Sequence, residues 1–240
     1  MTTSVTRAMR MICLSLVAVA GCGKRAQMDK QRTQVETEAA AKRAATAERL
    51  KGLDVPGLAA ELQQDSLKGV EPFNSPAYKQ LVGRGAAAGP ALAPLVGNDA
   101  PSSFLGLLAL RQVDPARYHA IDPALRVKLL VDTLHNAKRF NTFGLPHTRR
   151  EPAARAIIEE GRAAIRPLSA LLGDKRPAPV WGSEDYVEYK RHGFRVCDYA
   201  LGFLLEILGK KDVAMPVDPA ARDKLIESLQ AEIAQPPPPG

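Results

Sequence analysis

Two stretches of this 240-residue chain lie over each other without a gap, 76 residues apart. "PAYKQLVGRGAAAGPALAPLVGN" runs from Pro76 to Asn98 and "PAARAIIEEGRAAIRPLSALLGD" from Pro152 to Asp174, with eight of the 23 positions identical. Where apolar positions differ the exchange is conservative, as in Leu81/Ile157, Val82/Ile158 and Val96/Leu172. Each copy opens on a proline suited to the first turn of a helix and continues as an apolar stripe. It then breaks at Gly85 or Gly161 and resumes as a Leu-rich partner closed by Gly97 or Gly173. Each copy is therefore expected to be a helical hairpin.

The rest of the chain points the same way. Aromatic residues are only 5% of the sequence while Ala and Leu abound, which favours helices over a sheet. "PSSFLGLLALRQV" and "DPALRVKLLVDTLHNA" give two more helical patterns between the copies. After the second copy, "RVCDYALGFLLEIL" places Val196, Ala200, Phe203, Leu204, Ile207 and Leu208 on one helix face. "DPAARDKLIESLQAEI" supplies a last helix, with Asp218 as its cap and Pro219 in its first turn. "FNS" (Phe73–Ser75) and "FNT" (Phe140–Thr142) match at an offset of 67, so the second copy carries nine extra residues, Phe143–Glu151, just before its first helix.

An offset of 76 is two units of about 38 residues, close to the period of helical-pair solenoids. "ARAIIEEGRAAIRPLSALLGD" resembles a HEAT-type repeat, in the short bacterial form also found in phycobilisome lyases. The likeness covers roughly residues 76–112 and 152–208. It implies an all-α domain over 56–234, a right-handed α-α superhelix of hairpins. Solenoids of this kind bind other proteins far more often than they catalyse.

The N-terminus says where such a domain works. Arg7 and Arg10 precede an apolar run, Met11–Gly21, that spans only about 16 Å as a helix and so is too short to cross a bilayer. This is the layout of a signal peptide over residues 1–21. "VAGC" (Val19–Cys22) resembles the lipobox of bacterial lipoproteins. That resemblance implies a diacylglycerol on the Cys22 thiol, cleavage before Cys22, and a membrane partner reached through lipid. Gly23, where an Asp would retain such proteins at the inner membrane of enterobacteria, leans towards the periplasmic side of the outer membrane. Residues 22–55 are Ala-rich and charged without a sustained apolar stripe, which reads as a helical or disordered tether. Residues 235–240, "QPPPPG", are a proline-rich tail with no core to join. Cys13 would leave with the leader, and modification of Cys22 would leave Cys197 without a disulfide partner.

A hairpin goes out and comes back, so the segments entering and leaving the second copy, 138–151 and 174–193, are expected at one end. Insertions in solenoids map to one face, often the binding face. These two segments hold the only Trp and much of the chain's aromatic content. Phe140, Phe143, His147, Arg149, Arg150, Trp181, Tyr186 and His192 are the candidate partner-binding residues, since aromatics and Arg enrich interface cores. The alternative is that the two segments pack on each other and cap the core, and the two roles are compatible. Nine basic residues against four acids between Lys138 and Arg176 make that stretch +5. Removing Arg7 and Arg10 with the leader takes the whole chain from +7 to +5, so this stretch carries all of the remaining excess. The partner implied is an unknown protein of acidic character, an anionic glycan or a lipid headgroup, rather than nucleic acid.

The sequence offers little chemistry. None of the nine serines lies in G-x-S-x-G or S-x-x-K, and there is no P-loop, H-E-x-x-H or EF-hand pattern. Glu184, Glu188 and His192 could share one helix face as ligands, though surface ion pairing accounts for them as well. The expectation is an interaction adaptor or scaffold at the cell envelope, with no catalytic residues, metal or cofactor. An envelope enzyme acting on glycan or peptide through Glu184/Glu188/His192, and a purely structural spacer, are the alternatives.

Overall fold

The computed structural model describes residues 30, 33–34, 37–42, 44–68, 70–97, 102–210 and 212–235. The leader with its lipobox and the proline run lie outside the described residues. The chain divides into two units, Met1–Gly52 and Leu53–Gly240. In the first, residues 37–42 and 44–51 are helical. Local pairs one turn apart support that helix, Gln34 with Glu38 at 3.0 Å and Lys51 with Glu48 at 2.6 Å.

Among the described residues the second unit is all-α apart from one pair of two-residue strands. Its helices are α1 (Val55–Leu67), α2 (Pro76–Gly83), α3 (Gly89–Leu92), α4 (Ser102–Val113), α5 (Pro115–Ala120), α6 (Pro123–Asn136), α7 (Pro152–Glu159), α8 (Arg162–Ala170), α9 (Ser183–His192), α10 (Val196–Ile207) and α11 (Pro219–Ile233). Five of them start by one local rule. Asp54, Ser75, Asp114, Asp122 and Asp218 each accept a first-turn N–H, and a proline stands one or two residues later. The cap satisfies a donor that the helix cannot, and the proline gives up an N–H that would have had no helical acceptor. No helix among the described residues is long and apolar enough to cross a membrane.

The two repeat copies share their backbone break and their buried positions. Gly85 and Gly161 both take positive φ, 60° and 57°, where a Cβ would be strained. Ala77/Ala153, Leu81/Ile157, Ala88/Ala164 and Leu92/Leu168 are each 0–1% exposed in both copies. The copies differ in their second arm. In the second copy it is the single helix α8, whereas in the first it is split into a 3-10 turn (Gly85–Ala88), α3 and another 3-10 turn (Ala93–Leu95). Pro90 and Pro94 stand in the first turns of α3 and the last 3-10 piece, where their missing N–H groups break the ladder.

A helix buried on most of its surface follows each hairpin. α4 packs against α1, α2, α5, α6 and α7, and α10 packs against α7 and α8. The sequence places one apolar face on α10, yet Cys197, Asp198, Tyr199 and Leu201, off that face, are fully buried too. Ile207 and Leu208, assigned to the face, are only partly buried. The nine extra residues of the second copy form a β-hairpin, β1 (Gly144–Leu145) and β2 (Arg149–Arg150), paired antiparallel as Gly144–Arg150 and Leu145–Arg149. His147 at its tip has φ 77°.

Candidate functional site

The entry and exit segments of the second hairpin meet, as the out-and-back geometry requires. The Phe140 N–H donates to the Pro179 carbonyl at 2.9 Å. Asn141 clasps Trp181 from both sides, its Oδ1 accepting the Trp181 N–H at 3.0 Å and its Nδ2 donating to the Trp181 carbonyl. The exit segment is not the loop that its length suggested. It runs extended to Trp181 and then forms α9, bracketed by Gly182 (φ 118°) and Gly193 (φ 58°), with Lys190, Arg191 and His192 in its last turn. A left-handed glycine and basic residues at a C-terminus are legible stop signals for a helix.

Beneath this end lies an aromatic cluster centred on Tyr199 of α10. Its ring centroid is 4.9 Å from Phe140, 6.4 Å from both Phe143 and Phe194, and 6.3 Å from Phe203. The Tyr199 hydroxyl donates to the Gly144 carbonyl at 2.8 Å and so fixes the β-hairpin. Phe140 and Phe143 are 0% and 1% exposed. This corrects their assignment as contact residues: they are core, and the two segments do cap the end of the domain. They belong inside because the hairpin backbone folds over them, which the one-dimensional pattern does not display.

Trp181 and Tyr186 stand on the outside of that cap, 57% and 38% exposed. Their rings stack with centroids 6.2 Å apart and planes 13° from parallel. The Lys190 ammonium lies 5.3 Å from the Tyr186 centroid, and Val187 beside it is 63% exposed. The other candidates scatter. His147 is exposed at the hairpin tip, and Arg150 reaches α10 in an ion pair with Glu206. The Arg149 and Glu184 side chains lie outside the described ones. The +5 stretch is not a bare basic surface: Lys175 binds Asp223 at 2.8 Å and Arg176 grips Asp174 through Nε at 2.9 Å.

His192 is not presented for binding. Its ring stacks on Phe194 with centroids 4.6 Å apart, its Nε2 is 3.5 Å from Glu188, and its carbonyl accepts Arg222 Nη2 at 2.8 Å. Burial, the largest effect, pushes its pKa below the usual range against the pull of Glu188. Among the described residues no group of three or more His, Cys, Asp or Glu is placed to hold a metal ion. The Cys197 thiol is buried and its pKa is raised to about 12 by that burial, so at neutral pH it is a packing group rather than a nucleophile.

Sequence reading missed a buried ionic chain behind the site. Asp198, fully buried on α10, accepts Arg195 Nη2 at 2.9 Å and forms an ion pair with Arg222, whose Nε lies 3.0 Å away. Arg195 also binds Asp223 at 2.8 Å, and Lys175 binds the other oxygen of that carboxylate. This chain ties α11 to α10 and to the exit segment. The local half was visible as Arg195-x-x-Asp198, a capping box, but the Arg222–Asp223 half arrives from 24 residues further on. No family model matches this chain, and no curated protein and no solved structure matches it.

Proposed function

We propose that this chain is a lipid-anchored, HEAT-like repeat protein that acts as a protein–protein adaptor at the cell envelope, on the periplasmic side of the outer membrane. One observation carries the binding half of this reading: the stacked, solvent-facing Trp181–Tyr186 pair on a cap whose underside is locked by Phe140, Phe143 and Tyr199. A large aromatic held in place before binding loses little rotamer freedom when a partner covers it, which is the character of an interface anchor. The two hairpin copies, with shared glycine breaks and shared buried positions, support a solenoid rather than an irregular bundle. The anchoring half rests on the "VAGC" step alone.

Palmitate labelling tests the anchor. Label is expected on the wild type and lost in Cys22→Ser, with uncleaved precursor accumulating; label that survives the substitution ends the lipoprotein reading. Crosslinking in cells, followed by identification of captured chains, tests the adaptor. Trp181→Ala should weaken capture by at least about 2 kcal/mol, the scale of an aromatic hot spot, with little change in melting temperature because the ring is exposed. Loss of stability with capture unchanged per folded molecule would make Trp181 a cap residue only.

A further inference from the structure

A groove of about 1140 Å³ opens between the end of α1, the turn that follows it, α4, α6 and residues 138–142. It exceeds the usual range of small-molecule pockets, roughly 300–1,000 Å³, and has room for several residues of polypeptide. Its apolar surface comes from Val70, from Phe104 and Leu105 of α4, and from Leu129 of α6. Four cations line it. Lys128 is taken by Asp132 at 2.9 Å, while Lys68, Lys138 and Arg139 are exposed. Among the described residues no ion pair holds Lys68 or Lys138, and Arg139 acts on Glu71 through its charge alone.

Glu71 gives the groove its second feature. Its Oε2 accepts Asn74 Nδ2 at 3.1 Å, while its Oε1 is buried with no hydrogen-bond partner among the described residues. That oxygen is closed off from solvent, so Glu71 meets the groove as a half-buried carboxyl under the charge of Arg139.

We propose that this groove binds an acidic peptide segment of a partner protein, with carboxylates on Lys138, Arg139 and Lys68 and apolar side chains against Phe104 and Leu129. The site goes beyond the Trp181 face and does not depend on it. Concavity favours a peptide over a bilayer, which would meet only the rim.

The probe is a fluorescein-labelled octapeptide of alternating Glu and Val, followed by anisotropy with the full chain, beside its Lys/Val counterpart. Saturable binding of the acidic peptide is expected, with the basic one weaker. Lys138→Glu/Arg139→Glu should weaken it at least about tenfold, as reversal of two charges facing a ligand does. Lys190→Glu/Arg191→Glu on α9, neither of which lines the groove, should leave it within about twofold. Melting curves check that each variant is folded. No saturable binding, equal binding of the basic peptide, or equal loss from the α9 variant overturns the proposal. So does binding of phosphatidylglycerol vesicles, but not of the peptide, that depends on Lys138 and Arg139. Peptide binding lost with capture through Trp181 intact would remove the groove site alone, and the converse would remove the adaptor face alone.

Discussion

His192 shows how one residue type can carry two opposite expectations. On a loop it reads as an exposed ligand or contact residue; stacked on Phe194 beneath Arg222 it becomes part of the packing. Every element against it contributes charge: Glu188 and the Pro216 carbonyl favour the protonated ring, while Arg222, Arg191 and burial oppose it, and burial dominates. A folded-state pKa below the unfolded value of 6.5 means that the unfolded chain binds more protons. Stability is thus full above pH 6.5 and falls as pH drops through that value towards the lower folded one. Asp223, held below the usual carboxylate range by Lys175 and Arg195, adds a loss of the same sign at more acid pH. Melting temperature should therefore decline between pH 7 and about 5, and His192→Phe, which keeps the stacking, should flatten that decline. An unchanged slope in the variant would clear His192 of the effect.

At the scale of the element, the hairpin break is the testable unit. Gly161 holds φ 57° and ψ −132° and caps α8, accepting the Ala164 N–H through its carbonyl at 3.0 Å. Gly173, at the other glycine position shared by the copies, has no positive φ and open space around the position of a Cβ. Gly161→Ala should cost about 1–3 kcal/mol from backbone strain alone, while Gly173→Ala should be near neutral. Leu168, buried in the same hairpin, should cost about 2–5 kcal/mol on truncation to Ala. Denaturant midpoints separate the three. Equal effects at both glycines would mean that the strain at Gly161 is not what sets the turn. The hairpins were legible because each signal was local: proline, stripe, glycine. The splitting of the first copy's second arm could be read only in hindsight from Pro90 and Pro94, since each proline is acceptable in the first turn of a helix.

Across the whole molecule, α11 is tied down by buried ions as well as by Ile226 and Leu229. Its Arg222 is fully buried, with Nη1 donating to the carbonyls of Pro216 and Val217 at 2.9 and 2.7 Å. Asp198 sits between Arg222 and Arg195, all three largely or wholly removed from water. Removing the central charge takes from Arg222 its carboxylate partner and from Arg195 one of its two, and Asp198→Asn should destabilise the fold by about 3–5 kcal/mol. Asp198→Leu/Arg222→Met, which removes one charge of each sign, should cost less than Asp198→Asn. If the double replacement unfolded the chain further, the network would be contributing net stability instead of satisfying its own burial. A second chain of contacts joins the helices between the copies to the second copy: Glu160, at the end of α7, accepts Arg126 Nε at 2.7 Å and Nη2 at 2.9 Å, and the Tyr118 hydroxyl at 2.6 Å.

The sequence by itself determined the helical class, the duplicated hairpin, the Asp218 cap of the last helix and the meeting of the two long segments. Each follows from interactions within a few residues or from the return of a chain that turns once. Only the tertiary structure decided which aromatics are contact and which are core, because Phe140 and Trp181 carry the same local signal and differ only in which side of the cap they face. It alone joined Asp198 to Arg222, and it alone opened the groove between α1, α4 and α6. Burial and charge pairing across a fold depend on where distant segments end up, and periodicity along the chain carries no information about that distance.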